Sequence, residues 1–214
     1  MSWKALIFYT VDNMYKDVAN EFVIPSLHEF NIPYIDTKVR NRVDWKKNIA
    51  HKPEVIENAL YANPGVDLLY TDVDSRFMAY PELMDTWPAD CDIAFHTIDH
   101  RQWYGKDTDR KEVFNGTIFL RNNDKIKLLV SIWKERCIAN PRVWEPHWFE
   151  VAIKEVNPKV FMLPIEYAYI NSLPDGSKPR VQVDNPVIVH YQASREYKKE
   201  QAEKNRLHRR GVGV

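Results

Sequence analysis

Continuous apolar runs and apolar residues at helical spacing take turns along this chain, and their order predicts an α/β fold. Ala5 to Tyr9 is an unbroken apolar run that predicts a buried strand. In Met14 to Phe30, which follows, Val18, Phe22, Leu27 and Phe30 approach helical spacing and Pro25 predicts a kink. Pro33 to Val39 predicts a second strand. Pro53 to Tyr61 predicts a helix, because proline suits a first turn, and Asn63-Pro64-Gly65 predicts the turn that ends it. Val66 to Thr71 then runs as a strand straight into Asp72-Val73-Asp74. This β-α-β-α-β order implies a mostly parallel sheet covered by helices.

Downstream, Pro81 to Trp87 predicts a short helix and Asp92 to His96 a strand. The polar stretch His100 to Lys111, around Trp103 and Tyr104, predicts a mobile surface loop near a site. Val113 to Leu120 reads as a strand interrupted by Asn115-Gly116. A helix over Asp124 to Cys137 places Ile126, Leu129, Val130 and Trp133 on one face, and another from about Pro146 buries Phe149, Ala152, Ile153 and Val156. Short strands at Val160 to Leu163 and Val187 to Val189 follow, the second leading into His190.

Composition narrows the reading. A chain of 214 residues suits a single domain, here residues 1–194, followed by a basic helix or tail over 195–214. Formal net charge is zero, so the molecule as a whole does not attract a polyanion, although Arg195 to Arg210 holds seven Lys/Arg against three Glu. That segment is a candidate for steering a phosphate-rich acceptor. Two cysteines, Cys91 and Cys137, make neither a disulfide framework nor a zinc pattern, and a reducing cytoplasm is expected. The N-terminal apolar run is far too short for a signal core or a membrane span, so the expectation is no membrane crossing and a chain that starts directly with the fold.

The candidate chemistry gathers at strand ends. In an open parallel sheet, ligands bind beyond the carboxyl ends of the strands. Asp72 and Asp74 stand at such an end, and their alternation lets two carboxylates flank one small volume, a hard-oxygen set that suits magnesium or manganese bridging a diphosphate. His190 arrives directly after an apolar strand, where a neutral imidazole completes such a shell. Glycine inside a strand marks a bulge or a closely approaching ligand, which singles out Asn115-Gly116.

With these features in order, the chain resembles the nucleotide-diphospho-sugar transferases of the GT-A fold, in particular the retaining families. The resemblance rests on LLYTDVDS from Leu68, FNGTIFLRN from Phe114, WEPHWFEVAI from Trp144 and VIVHYQ from Val187, and it covers most of residues 3 to 195. It implies that Asp74 and His190 are direct metal ligands and that Asp72 lies near the ribose and the metal. It places Thr10 and Val11 near the nucleotide base or ribose, Lys52 near the donor, and Asn115 and Gly116 on the sugar pocket. Where those families commonly carry Asp-Gln, this chain has Glu145-Pro146, so Glu145 is the first choice for the sugar-side carboxylate and Glu150 the second.

The reading is therefore a cytoplasmic glycosyltransferase, with a UDP-sugar as the expected donor and Mn2+ or Mg2+ as cofactor. Its acceptor is a hydroxyl on a glycan, a lipid-linked saccharide, a protein or a modified nucleic acid, with Trp103 and Tyr104 as candidate acceptor contacts. The rivals are a metal-dependent nucleotidyltransferase or nuclease and a noncatalytic nucleotide-binding module.

Overall fold

The computed structural model describes residues 2–11, 14–42, 45–173 and 176–193. The basic segment 195–214 lies outside the described residues. The chain opens with β1 (Trp3–Thr10), helices α1 (Tyr15–Glu21) and α2 (Val23–Glu29), and β2 (Tyr34–Val39). Next come α3 (Trp45–Ile49), α4 (Lys52–Ala62), β3 (Asp67–Thr71), β4 (Ser75–Phe77), α5 (Leu83–Thr86), β5 (Ile93–Asp99) and α6 (His100–Tyr104). It ends with β6 (Lys111–Leu120), α7 (Asp124–Ala139), α8 (Glu145–Val156), β7 (Val160–Met162), β8 (Tyr169–Ile170) and β9 (Ile188–His190).

Six strands form one sheet in the order β2-β1-β3-β6-β5-β7, and β4, β9 and β8 form a small second one. In the large sheet β1 runs parallel to β2 and β3, and β5 runs parallel to β7. Only β6 runs against its neighbours β3 and β5. The sheet is thus mostly parallel, as the helix-linked order of the first strands requires, with one reversed strand near its middle.

Side-chain alternation along the strands splits the core into two layers. Ala5, Ile7 and Tyr9 join Leu69 and Phe119 on one face, against Val18, Val23 and Leu27 of the first two helices. Leu6, Leu68 and Tyr70 face the other way, against Ile56 and Leu60 of α4, Leu129 and Trp133 of α7, and Phe149 of α8. A sheet covered on both faces explains why its strands read as continuous apolar runs.

Two expectations need correcting. The helix expected from Met14 to Phe30 breaks at Phe22, three residues before Pro25. A proline offers no N–H to the carbonyl four residues earlier and crowds it, so the break falls at Glu21 and Phe22. The stretch from His100 is not a loop throughout. The Asp99 carboxylate accepts from the Arg101 and Gln102 N–H groups and starts α6, and Gly105, at φ 63°, ends it. Trp103 is 1% exposed, packed with Ile98 and Ile170, so it is a core residue and not a surface platform for an acceptor. Among the described residues no helix is long and apolar enough to cross a membrane.

Candidate active site

The site is built where the chain leaves the large sheet for the small one. β3 is buried along its whole length, and Asp72 follows it, its N–H donating to the Gly116 carbonyl at 2.9 Å. The Ser75 N–H donates to the Asp72 carbonyl at 3.0 Å and turns the chain into β4. Across β4 and β9, Ser75 pairs with His190. The small sheet thereby carries a residue more than a hundred positions away to the acidic pair. Each of Asp72, Asp74 and His190 offers a ligand atom, and these atoms lie within 4.8 Å of one another.

The state of these groups suits a cation. His190 is fully buried, and burial pushes its imidazole down to about 4, so the ring is neutral at pH 7. Its Nε2 hydrogen-bonds with Thr117 Oγ1 at 2.8 Å, while Nδ1 is buried without a partner among the described residues. Burial, and then the neighbouring Asp72 carboxylate, pushes Asp74 up to about 7. The Ala193 N–H, 2.9 Å from Asp74 Oδ2, acts in the opposite direction. An orphaned imidazole nitrogen beside two crowded carboxylates is a donor set that a divalent ion satisfies and that the protein alone does not.

Beside this cluster stands a second set with its own countercharge. Lys52, in the first turn of α4, is buried, and its Nζ lies 3.1 Å from the Asn115 carbonyl, 3.2 Å from Asp72 Oδ1 and 3.9 Å from Glu145 Oε2. The Tyr70 hydroxyl donates to Asp72 Oδ1 at 2.6 Å. Glu145 opens α8 at 2% exposure, and the Asn115 side-chain amide donates to both of its oxygens, at 2.9 and 3.0 Å. Burial outweighs Lys52 and that amide and pushes Glu145 up to about 7.

Glu150 goes elsewhere. Five residues further along a helix is roughly 140° around it. Its Oε1 accepts from the Val113 N–H at 3.2 Å and ties down the start of β6.

Asn115 reaches both Lys52 and Glu145 because β6 bulges. Phe95 pairs with Ile118, but the next residue, His96, pairs with Phe114, so Asn115, Gly116 and Thr117 bulge out between two adjacent partners. A Cβ on Gly116 would stand 2.4 Å from Phe114 Cζ and 3.1 Å from His190 Cε1, so a side chain there requires the Phe114 ring to move.

Lys52, Asp72, Asp74, Asn115 and Glu145 wall one cavity of about 560 Å³, which the fully buried His190 and the bulge residues Gly116 and Thr117 do not line. Thr10 lines it with a buried hydroxyl that has no partner among the described residues. Val11, one residue on, is 42% exposed and stands outside the wall. Tyr104 lines the cavity where Trp103 does not. Tyr70 and Thr117 were not singled out in the sequence. Tyr70 carried a signal, since it stands two residues before Asp72, whereas Thr117 lies inside the bulge, where alternation fails.

A model of the nucleotide-diphospho-sugar transferases matches residues 6–202. The chain belongs to that family. This transferase is similar in fold to a glycosyltransferase involved in glycosylating the major capsid of PBCV-1, with a TM-score of 0.62 at 12% identity over 94% of this chain and 99% of that one. It is also similar to the galactosyltransferase LgtC, solved with donor and acceptor sugar analogues, with a TM-score of 0.55 at 11% identity over 94% of this chain and 95% of that one. A third likeness is to the glycosyltransferase GlyE of Streptococcus pneumoniae TIGR4, with a TM-score of 0.50 at 13% identity over 100% of this chain and 66% of that one. No curated protein matches the sequence. The transferase therefore has the GT-A fold, and its family makes it a glycosyltransferase that uses a nucleotide-sugar donor.

Proposed function

We propose that this glycosyltransferase moves a hexose or pentose from a UDP-sugar to a hydroxyl acceptor, with retention at the anomeric carbon and with manganese or magnesium held by Asp72, Asp74 and His190. The carrying observation is the buried, unpartnered Nδ1 of His190 beside the two carboxylates of the turn between β3 and β4. Bound there, the ion would offset the charge that develops on the leaving diphosphate. The bond that breaks joins the anomeric carbon to the diphosphate oxygen, and the bond that forms joins that carbon to the acceptor oxygen. In a retaining transfer the acceptor proton passes to the departing phosphate.

The remaining work belongs to the chain itself. Thr10, its hydroxyl unsatisfied at the end of β1, binds the nucleoside. Val11 is a weaker candidate, because it is exposed beyond the wall. Lys52 neutralises Asp72 and Glu145 and, with Asn115, holds the floor of the sugar pocket. Glu145 stabilises the oxocarbenium-like centre as its bond lengthens, and Asn115 fixes its orientation. Glu150, bonded to the β6 backbone, positions that strand instead. Gly116 leaves space that the Phe114 ring and the His190 imidazole occupy and that a Cβ would crowd. Cys91 and Cys137, both buried free thiols, fit a reducing compartment such as the cytoplasm.

Calorimetry with UDP and manganese tests the reading. Wild type should bind UDP more tightly with manganese than without it, and His190→Ala and Asp74→Asn should each remove that difference while staying folded. Unchanged manganese-dependent affinity in His190→Ala would return Asp72-Val73-Asp74 to an acidic turn.

A further inference from the structure

Asp72 follows Tyr70 by two residues, and one of its carboxylate oxygens is already taken. Oδ1 accepts from the Tyr70 hydroxyl at 2.6 Å and lies 3.2 Å from Lys52 Nζ. A carboxylate oxygen has two lone pairs, so these two donors use both. Lys52 is fixed in turn, because its Nζ donates to the Asn115 carbonyl at 3.1 Å and stands 4.8 Å over the Tyr70 ring. A cation approaching Oδ1 would also meet this ammonium at close range. Asp72 therefore has only Oδ2 to give. Asp74 is tethered too: its Oδ2 accepts from the Ala193 N–H at 2.9 Å, and its backbone carbonyl accepts from the Tyr191 N–H at 2.9 Å.

We propose that Tyr70 is a positioning residue that sets the cation preference of the site. By holding Asp72 Oδ1 it confines that carboxylate to one-oxygen ligation, which admits manganese or magnesium and disfavours calcium. The proposal rests on the metal reading above and specifies which ions the same site selects.

The preference follows from the number of ligands each ion wants. Magnesium and manganese take about six in an octahedral arrangement, whereas calcium takes about six to eight and readily accepts both oxygens of one carboxylate. Asp72, Asp74 and His190 offer one ligand atom each. That leaves about three octahedral positions for diphosphate oxygens and water, but up to about five for calcium. Chelation by both oxygens of Asp72 would supply one of those five, and the Tyr70 and Lys52 contacts to Oδ1 prevent it. Packing alone does not call for the hydroxyl. Tyr70 is buried in the core with its ring centroid 6.2 Å from that of Phe8, a space that phenylalanine would fill equally well.

The test titrates calcium against the manganese–UDP complex of the full chain and follows released manganese by its electron paramagnetic resonance signal. Wild type should give up manganese only to a large excess of calcium. Tyr70→Phe keeps the ring and the Lys52 contact, so the fold should persist and metal-free UDP binding should not change. Its manganese affinity should fall about tenfold, as for other outer-shell partners, while calcium affinity holds or rises. The ratio of calcium to manganese needed for half displacement should therefore drop by about tenfold or more. Lys52→Met, which removes the other donor to the same oxygen, should move that ratio in the same direction. A ratio unchanged in both variants, or an equal loss of affinity for the two ions, would overturn the proposal and leave the metal site standing. A wild-type chain that binds no manganese with UDP would overturn the metal reading itself, and the selectivity with it.

Discussion

Glu145 and Asp74 are both buried carboxylates pushed up to about 7, and they stand in different company. Glu145 is bonded on both oxygens by the Asn115 amide and has Lys52 within ion-pair reach. Asp74 has backbone N–H donors, a second carboxylate beside it and a neutral histidine with an unpartnered nitrogen. The first set is complete within the protein. In the second, Lys52 pairs with Asp72 at 3.2 Å, but among the described residues no ion pair reaches Asp74, and a spare imidazole nitrogen stands beside it. Burying a charge without a partner is costly, so a site that tolerates it is one that expects a ligand.

The largest expected effect breaks the Asp74 side of this comparison. The double variant Asp74→Asn/His190→Ala should lose no more manganese-dependent UDP affinity than either single variant, because one missing ligand already dismantles the shared site. Calorimetry on all four proteins checks it, and additive losses would mean that the two residues act separately.

Next comes Glu145→Gln, which should lower turnover by about 10²–10³-fold with little change in donor affinity, as expected of charge stabilisation felt mainly in the transition state. The same variant sharpens the comparison through pH. The Glu145 carboxyl stands at about 7 in the folded chain against an ordinary 4.5, so folding favours its protonated form. Its contribution to stability is full below about 4.5 and fades as pH rises through about 7. Thermal melts should show Glu145→Gln gaining on wild type between about pH 5 and pH 8. A constant gap would mean that the carboxyl is already ionised throughout.

Thr117→Val should weaken manganese binding roughly tenfold, the lower end of what outer-shell partners of a metal-bound histidine cost, without touching the Glu145 set. Manganese titration of the UDP complex reads this, and no change would mean that Thr117 does not orient the ring. The smallest effect is expected from Glu150→Gln. Its amide oxygen still accepts from Val113, so stability should fall by less than about 1 kcal/mol and turnover should hold. A large drop in turnover would exchange the roles given to Glu145 and Glu150.

Much of the site's periphery was legible in the chain because it depends on neighbours in sequence. The strand into Asp72-Val73-Asp74, the register of α8 behind Glu145 and the glycine inside β6 follow from a continuous apolar run, helical spacing and the absence of a Cβ. The same rules misled where packing outweighed polarity. Trp103 sits in a charged stretch, yet its large apolar ring is buried against Ile98 and Ile170. The Asp99 cap then turned the surrounding residues into a helix.

The sequence by itself determined which residue types stand at the strand ends, since those patterns are set over a few residues. Only the tertiary structure decided which of them meet. It reversed β6 so that Asn115 faces Lys52, brought α8 in so that Glu145 rather than Glu150 is enclosed, and paired Ser75 with His190 across the small sheet. Those contacts join residues at least 30 positions apart. They form because burying the apolar faces of the two layers brings these strand ends and the start of α8 together, and no local preference carries that information.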